Sequence, residues 1–172
     1  DWIIWKTNQK TDFNAGVVLV QPIDKGMVDM INSQDGLYHL NLQGIDKGKA
    51  VDSIEMIDVI NRGINPYRDF DDYLALAENP EMRFIISNTT EAGIAFDPQC
   101  KFTDRPAASY PGKLTQLLYH RYEFFKGDKS KGFIIFPCEL IFLNGKELKK
   151  CIHQYIELWQ LGDGFREWFD TA

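Results

Sequence analysis

Three short apolar runs limit most strongly what this chain can fold into. They are residues 16–21 (GVVLVQ), 83–87 (RFIIS) and 132–136 (GFIIF). None alternates between apolar and polar side chains, so each is typical of a strand that is covered on both faces of a parallel sheet. Each run gives way to a polar or turn-rich segment before a helical pattern begins. We therefore predict an α/β fold in which βα units wind on both sides of a mostly parallel sheet.

Helices are indicated by apolar side chains that recur at intervals of three and four residues. Helix starts are predicted at Asn65-Pro66, at Ser109 to Pro111 and at Asn144-Gly145, with apolar stripes that reach residues 77, 125 and 159. A short final helix is expected at residues 165–169. The aromatic residues in these stripes are interpreted as core packing, because helical spacing of aromatics serves a core far more often than a cofactor.

A β-hairpin is predicted between the first apolar run and the Asn65 helix. Residues 37–43 alternate in polarity, residues 46–48 (DKG) form a turn, and residues 50–60 resume an extended pattern. This hairpin is an insertion into the α/β scheme. No internal repeat or low-complexity segment is found.

The first residues bear on whether residues 1–172 are a whole protein. Residues 2–5 (WIIW) have the composition of the middle of a helix, and no N-cap pattern is found before them. The chain also starts with Asp1 rather than with Met. We therefore expect residues 1–172 to be a piece of a longer protein.

Composition and charge narrow the partners and the compartment. The formal net charge of −6 argues against a nucleic-acid partner, which would require a clustered positive face. No apolar run approaches the roughly 18 residues of a membrane span, and no secretory leader is found. The three cysteines are odd in number and contain no CxxC, which favours the reducing cytoplasm. The three histidines lie far apart, so we predict no metal site.

Polar residues follow all three predicted strands at the point where each strand ends. They are found in residues 21–24 (QPID), 87–91 (SNTTE) and 137–139 (PCE). In open α/β sheets, ligands bind beyond the carboxyl ends of parallel strands. Residues 90–108 also form a long connection without a periodic pattern, which is typical of functional loops. The sequence favours a ligand site here, although an ordinary polar loop at each strand end explains the same residues.

The motifs that would name a reaction are missing from these residues. The glycine-rich turn that cradles a pyrophosphate is absent, since the one G-x-G (Gly162-Asp163-Gly164) follows a helix rather than a strand. Neither a Walker A pattern nor a GxSxG elbow occurs. From the residues alone, the chain is a doubly wound, ligand-binding domain, and a non-enzymatic binding module remains an open alternative.

Seven short blocks, taken together and in order, carry a family resemblance. The chain resembles the mannitol dehydrogenase family of long-chain polyol dehydrogenases, and within it the branch that acts on uronates. The resemblance covers essentially the whole chain. The blocks are residues 16–22 (GVVLVQP), 34–38 (QDGLY), 61–67 (NRGINPY), 79–84 (NPEMRF), 87–93 (SNTTEAG), 109–115 (SYPGKLT) and 137–140 (PCEL).

The resemblance implies a two-domain enzyme. Residues 1–172 would form a partial Rossmann-type NAD-binding domain that lacks its first βα unit, whose glycine-rich turn would lie upstream of Asp1. The catalytic lysine, with an asparagine and a histidine, would lie in a helical C-terminal domain beyond Ala172. That domain would be a partner of residues 1–172.

The implied reaction is the NAD-dependent interconversion of D-tagaturonate and D-altronate in hexuronate breakdown. Sister enzymes of the family that act on fructuronate or mannitol are the nearest alternatives. Residues 1–172 alone are expected to be inactive and to bind NADH weakly, because the pyrophosphate turn is missing.

The resemblance also implies roles for individual residues. Residues 87–93 match a block that lies against the nicotinamide side of the cofactor, so Asn88, Thr89 and Thr90 are expected to contact it. Glu91 matches the glutamate of that block, a candidate proton relay between the active site and bulk water. A glutamate that caps a helix or orders the loop is the alternative role for Glu91.

The other implied sites lie at the two remaining strand ends. Gln21 and Asp24 follow the strand where a Rossmann domain meets the adenosine ribose, and an acceptor there favours NAD, while the nearby Lys25 leaves NADP open. Leu140 stands where the mannitol branch has an asparagine. Leucine cannot provide the substrate contact of that amide, so either Asn144 provides it instead or no such contact exists.

Overall fold

The computed structural model describes residues 1–23, 26–90 and 92–172, so that Asp24, Lys25 and Glu91 lie outside the described residues. The chain forms two compact units, Asp1–Asp69 and Phe70–Ala172. Each unit contains one pair of parallel strands with helices packed on it. The first unit also contains the hairpin.

The first unit runs helix, strand, helix and then three strands. Helix α1 is followed by strand β1 and the short helix α2, and then by strands β2, β3 and β4. The bounds are Trp2–Lys10 (α1), Val17–Val20 (β1), Val28–Ser33 (α2), Tyr38–Asp46 (β2), Lys49–Ile57 (β3) and Ile60–Ile64 (β4).

Strand β1, the first of the predicted strands, pairs in parallel with β4. Neither β4 nor α2 was foreseen, because each is too short for its periodicity to stand out from the flanking turns. Helix α2 packs on β4 and its Asn32 side chain bonds both backbone groups of Gly63, at 2.7 Å to the N–H and 3.0 Å to the carbonyl. A Cβ at position 63 would lie 3.2 Å from Val28, which accounts for the glycine.

The predicted hairpin is confirmed as β2 and β3, with register Tyr38↔Ile57 through Asp46↔Lys49. Lys47 and Gly48 form its two-residue turn, with φ of 49° and 77°. Two positive φ values are characteristic of a type I′ turn, whose twist matches that of the strands. From Tyr38 to Gln43, the side chains of β2 alternate between half-buried and exposed, as the sequence pattern predicts.

Helix α1 corrects one detail of the sequence prediction. No N-cap was expected before Trp2, yet Asp1 occupies the N-cap position and its carboxylate accepts the Trp2 N–H at 2.6 Å. Trp5 is the buried residue of this helix and packs with Ile57 and Val59 in the core of the unit. An acidic N-cap is favourable because it satisfies a backbone N–H that the helix itself leaves without a partner.

The second unit contains four helices and two strands among its described residues. Their bounds are Phe70–Ala75 (α3), Phe84–Ser87 (β5), Tyr110–Phe124 (α4), Ile134–Pro137 (β6), Asn144–Leu158 (α5) and Asp163–Thr171 (α6). Helix α3 begins five residues later than predicted, because Asn65 closes a turn through Tyr67, Arg68 and Asp69 before the helix can start.

Strands β5 and β6 pair in parallel, from Phe84↔Ile134 to Ser87↔Pro137. The prediction that both faces of these strands are covered does not hold. Ile85 and Ile135 are half-buried, whereas the alternate side chains are exposed, and α5 packs on β6. Side chains of a strand alternate between its faces, so one apolar face remains in solvent. It consists of Phe84, Ile86, Ile134 and Phe136.

Helices α4, α5 and α6 pack together and supply most of the core of the second unit. Arg121 was not expected in the core, yet only 1% of this charged residue is exposed. Its guanidinium donates to the carbonyls of Ala77 at 3.0 Å, Asn79 at 2.9 Å and Lys131, and it lies 4.1 Å from the ring centroid of Phe133. The charge is therefore held by backbone dipoles and a ring face.

The two parallel pairs follow the predicted βα scheme. In the order 3-2-1-4-5-6 of a doubly wound sheet, strand 2 pairs with strand 3 and strand 4 pairs with strand 5. Pairs β1–β4 and β5–β6 match these two pairings, each within its own unit. The fold is of the Rossmann type.

Candidate functional site

The carboxyl ends of β5 and β6 meet at one edge of their sheet. Ser87 ends β5 opposite Pro137, which ends β6, and the Cys138 N–H donates to the Ser87 carbonyl at 2.7 Å. Two of the three polar strand ends found in the sequence, residues 87–90 and 137–139, are thus brought together. This edge is where an open α/β sheet binds its ligand.

A hydrogen-bonded pair joins the segments that follow the two strands. Oxygen Oε1 of Glu139 accepts both the backbone N–H of Thr89, at 3.2 Å, and the Thr89 hydroxyl, at 3.1 Å. A single carboxylate oxygen therefore fixes both the backbone and the side chain of one loop residue. The Thr89 loop cannot move away from the end of β6 without breaking both bonds.

Glu139 is an ionised group in an enclosed position, since only 3% of the residue is exposed. Burial acts to raise the pKa of its carboxyl, but hydrogen bonds from its own N–H and from Thr89 favour the charged form, so the net shift is downward. The Ser87 hydroxyl adds to this effect, although its geometry falls outside that of a hydrogen bond. Glu139 is therefore a carboxylate at neutral pH.

Three buried oxygens at or near the Thr89–Glu139 pair have no hydrogen-bond partner among the described residues. They are Glu139 Oε2, Ser87 Oγ and the Tyr110 hydroxyl. Burial raises the pKa of Tyr110 to about 12, with a further contribution from the charge of Glu139, while the Ser87 hydroxyl lowers it. The groups thus influence one another and form one polar cluster.

Helix α4 places Tyr110 at this cluster. Ser109 is the N-cap of α4 and its hydroxyl oxygen accepts the Gly112 N–H at 3.0 Å. The same oxygen lies 2.7 Å from the hydroxyl of Tyr155, a fully buried residue of α5 that also bonds the backbone of Asp97. The N-cap residue of α4 is therefore bonded both to its own helix and to α5.

The three loop residues expected to meet the cofactor differ in their surroundings. Asn88 and Thr90 are exposed, whereas Thr89 is half-buried and bonded to Glu139. Gly93 packs directly on Thr89, because a Cβ at position 93 would lie 1.9 Å from Thr89 Oγ1. Glu91, the expected proton relay, lies outside the described residues.

Asn144, the expected substrate contact, is bonded to the backbone around the end of β6. Its Nδ2 donates to the carbonyls of Pro137, at 2.7 Å, and Glu139, at 3.1 Å, while its Oδ1 accepts the Gly145 N–H at 2.7 Å. Both amide protons are therefore engaged in shaping the turn that carries Glu139. A role in substrate binding stays a prediction.

In the first unit, Gln21 follows the end of β1, as the sequence predicted. Its Oε1 accepts the Met27 N–H at 2.7 Å, and a Cβ on Gly26 would lie 2.8 Å from this oxygen. Gln21 therefore shapes the turn between β1 and α2. Asp24 and Lys25, the residues expected to discriminate NAD from NADP, lie outside the described residues.

Within each unit, the donors and acceptors at the strand ends are of the kind that binds the polar groups of a dinucleotide. Ribose hydroxyls and a carboxamide both donate and accept, and uncharged side chains such as Asn88, Thr90 and Gln21 can bond either way. Glu139 and Tyr110 were not among the residues nominated from the sequence. A carboxylate two residues beyond a buried strand was a signal for Glu139, whereas nothing in the pattern distinguished Tyr110 from core aromatics.

Two kinds of feature are absent from the part of the chain that the structure describes. No helix there has both the length and the apolar character needed to cross a membrane. Within the same residues, no three His, Cys, Asp or Glu side chains are grouped so that they could hold a metal ion.

Comparison with known proteins gives a consistent match over the whole chain. The model of the mannitol dehydrogenase Rossmann domain matches residues 1–172. Altronate oxidoreductase of Bacteroides thetaiotaomicron is 70% identical over 172 residues, and that of Bacillus subtilis is 48% identical. All of this chain is covered in both cases, but only 36% of each relative, so the chain spans about a third of their length.

Two solved structures resemble the fold. Mannitol 2-dehydrogenase of Pseudomonas fluorescens, in a ternary complex with NAD and D-mannitol, superposes with a TM-score of 0.75 at 14% identity and covers 96% of this chain and 35% of that one. Substrate-free D-sorbitol dehydrogenase gives 0.74 at 18% identity, covering 98% and 36%. At such low identities, the likeness concerns the fold alone.

Proposed function

The chain belongs to the mannitol dehydrogenase family, through its Rossmann domain, and from this premise we propose that it is the cofactor-binding part of an oxidoreductase that interconverts D-tagaturonate and D-altronate with NAD. The observation that carries the proposal is 70% identity to an altronate oxidoreductase along the entire chain. The 48% identity to the Bacillus subtilis enzyme of the same name supports the same substrate class.

The nicotinamide cofactor is supported by fold and by the chemistry of the strand ends. The structural neighbour named as a complex with NAD has the same fold, and Asn88, Thr90 and Gln21 offer the donors and acceptors that a dinucleotide requires. We propose NAD rather than NADP because Asp24 supplies an acceptor for a ribose hydroxyl and would repel a 2′-phosphate. Lys25 is the residue that argues for NADP.

In the proposed reaction, NADH supplies a hydride to the keto carbon of the uronate. Asn88 and Thr90 would hydrogen-bond the nicotinamide half of the cofactor, with Thr89 holding their segment at the end of β6. Glu91 would pass a proton between the active site and water. The residue that gives its proton to the substrate oxygen would be a lysine outside residues 1–172, in a C-terminal domain. The protein would work in the cytoplasm.

The test is a substrate comparison on the full-length protein that contains this chain. NADH oxidation is followed by absorbance with D-tagaturonate, with D-fructuronate and with D-fructose, the 2-keto form of D-mannitol. We expect kcat/KM for D-tagaturonate to exceed the other two by at least about tenfold. Preference for either competitor would identify a sister enzyme instead, and no turnover of any of the three would favour a binding module.

The cofactor is tested in the same assay. We expect NADH to be preferred over NADPH, and Asp24→Ser to reduce this preference while Lys25→Ser leaves it in place. Residues 1–172 alone are expected to show no turnover, because the proposed proton donor and the pyrophosphate turn lie outside them. Measurable reduction of D-tagaturonate by residues 1–172 would contradict that assignment.

A further inference from the structure

Glu139 is a buried carboxylate, and only one of its two oxygens accepts hydrogen bonds from the described residues. It is 3% exposed, Oε1 accepts two bonds from Thr89, and Oε2 has no partner among the described residues. Enclosing a carboxylate costs free energy unless its oxygens are bonded, so its retention at this position needs a reason beyond packing. An apolar side chain of similar volume would fill the same space at a lower cost, but it could not accept the two bonds from Thr89.

The position of Glu139 supplies that reason. It follows β6 by two residues and bonds the segment after β5, while the Ser87 and Tyr110 hydroxyls, from β5 and α4, belong to the same cluster. Three elements therefore converge on this carboxylate at the ligand-binding edge of the sheet. Asn144 fixes the backbone from the other side, through the Glu139 carbonyl.

We propose that Glu139 is a positioning residue of the reaction: it holds Thr89 at the end of β6 and thereby sets where Asn88 and Thr90 meet the nicotinamide half of the cofactor. The inference rests on the proposed function. Oxygen Oε1 is occupied by Thr89 and Oε2 is buried, so the carboxylate presents no open oxygen to a cofactor. It acts through the geometry of the loop.

The choice of Glu139 variants follows from its two oxygens. Glu139→Gln keeps an oxygen that can accept both Thr89 bonds and places an amide group toward hydroxyls that are able to accept. Glu139→Ala removes the anchor altogether. If Glu139 acts by positioning, NADH binding should be preserved in Glu139→Gln and weakened in Glu139→Ala. If the negative charge alone is required, NADH binding should be weakened in both variants.

The experiment measures NADH affinity and kinetics on the full-length protein. For Glu139→Ala, we expect the Kd for NADH, from fluorescence titration, and KM for NADH to rise by about tenfold or more, because misplaced contacts lose binding steeply. For Glu139→Gln, both constants should stay within about 1.5-fold of the wild type. A purely structural role lowers the amount of folded protein and its unfolding temperature but leaves the Kd unchanged.

Arg121→Lys is the matched control for destabilisation. Arg121 lies in the core of the same unit and bonds Ala77, Asn79 and Lys131, none of which is at the carboxyl ends of the strands. A comparable drop in unfolding temperature with an unchanged Kd for NADH is expected. If Arg121→Lys weakens NADH binding as much as Glu139→Ala does, general destabilisation explains both and the inference is wrong.

Thr89→Val keeps the test decisive if Glu139→Ala does not fold. This substitution removes the hydroxyl bond from Thr89 to Glu139 and keeps the backbone bond. We expect the Kd for NADH to rise by about threefold. Binding equal to the wild type in Thr89→Val, or in a folded Glu139→Ala, would overturn the inference. Failure of the wild-type protein to bind NADH at all would contradict the proposed function, which is a distinguishable result.

Discussion

The Thr89 backbone N–H lies 3.2 Å from Oε1 of Glu139, a residue 50 positions later in the chain, and the Thr89 hydroxyl lies 3.1 Å from the same oxygen. This contact closes the loop after β5 onto the end of β6. It is the point where the two polar strand ends of the second unit become one site.

The Thr89 hydroxyl should contribute to stability. Thr89→Val keeps the shape of the side chain and the backbone bond but removes the hydroxyl donor to a carboxylate, so unfolding free energy should fall by about 1–2 kcal/mol. Thr89→Ser retains the hydroxyl and should lose less. Denaturant titration of the full-length protein measures both, and equal losses in the two variants would show that the methyl group, rather than the bond, matters.

The pKa of Glu139 predicts a pH dependence of stability. Because folding lowers this pKa from its ordinary value of 4.5, Glu139 stabilises the fold above that pH, and the contribution is lost as the pH falls through the folded-state pKa. The wild type should therefore lose stability faster than Glu139→Gln below about pH 5. Other carboxylates titrate equally in both proteins and cancel. Parallel curves of unfolding free energy against pH would contradict the lowered pKa.

Gly93 should not tolerate a side chain. A Cβ there would lie 1.9 Å from Oγ1 and 2.4 Å from Cβ of Thr89, so Gly93→Ala must displace the loop and should cost about 2 kcal/mol. Gly44 in the hairpin is the matched control, because a Cβ there meets nothing within 4 Å. Gly44→Ala should change stability by less than about 0.5 kcal/mol. Thermal unfolding of the two variants, side by side, tests the close approach.

Arg121 should not be replaceable by lysine. The planar guanidinium reaches three carbonyls at once, including those of Ala77 and Asn79, which an ammonium group cannot do. Arg121→Lys should therefore lower unfolding free energy by about 2–4 kcal/mol. Arg68, which pairs with Asp29 on the surface, is the control, and Arg68→Lys should change little. Similar effects of the two substitutions would argue against a buried role for Arg121.

Glu91 is tested by its kinetics. If it relays the proton released when altronate is oxidised, Glu91→Gln should lower kcat for oxidation by about 100-fold and leave the Kd for NADH unchanged. Glu81, exposed before β5, provides the control, and Glu81→Gln should leave kcat unchanged. An unchanged kcat with a lower unfolding temperature in Glu91→Gln would instead assign Glu91 to ordering the loop.

Much of the fold could be predicted from the sequence, because local patterns determine local elements. The runs at residues 16–21 and 83–87 each contain an observed strand, and the run at residues 132–136 covers all but the last residue of β6. The hairpin turn lies at Lys47 and Gly48, within the predicted turn. Asn79 ends the predicted helical segment, and Ser109 caps α4, as their residue types indicate. The polar residues after β5 and β6 lie at one edge of their sheet, as expected for parallel strands, and their role in ligand binding stays a prediction.

Elements and pairings without a strong local signal were not predicted. Strand β4 and helix α2 are short, and their identity comes from packing on β1 and on each other. The apolar runs suggested strands covered on both faces, yet one face of β5 and β6 is exposed. A run of apolar residues indicates that a strand can be buried, but it does not indicate which neighbouring elements cover the strand.

The sequence by itself determined the strands β1, β5 and β6, the hairpin, the longer helices and the family, because each depends on residues close together in the chain or on the residue pattern as a whole. Only the tertiary structure decided that Glu139 meets Thr89, that Tyr110 joins their cluster and that Arg121 is buried among carbonyls. These contacts join residues about 20 to 50 positions apart in the chain. Chain folding alone brings such residues together, since loop closure lets distant segments meet at little entropic cost per added residue.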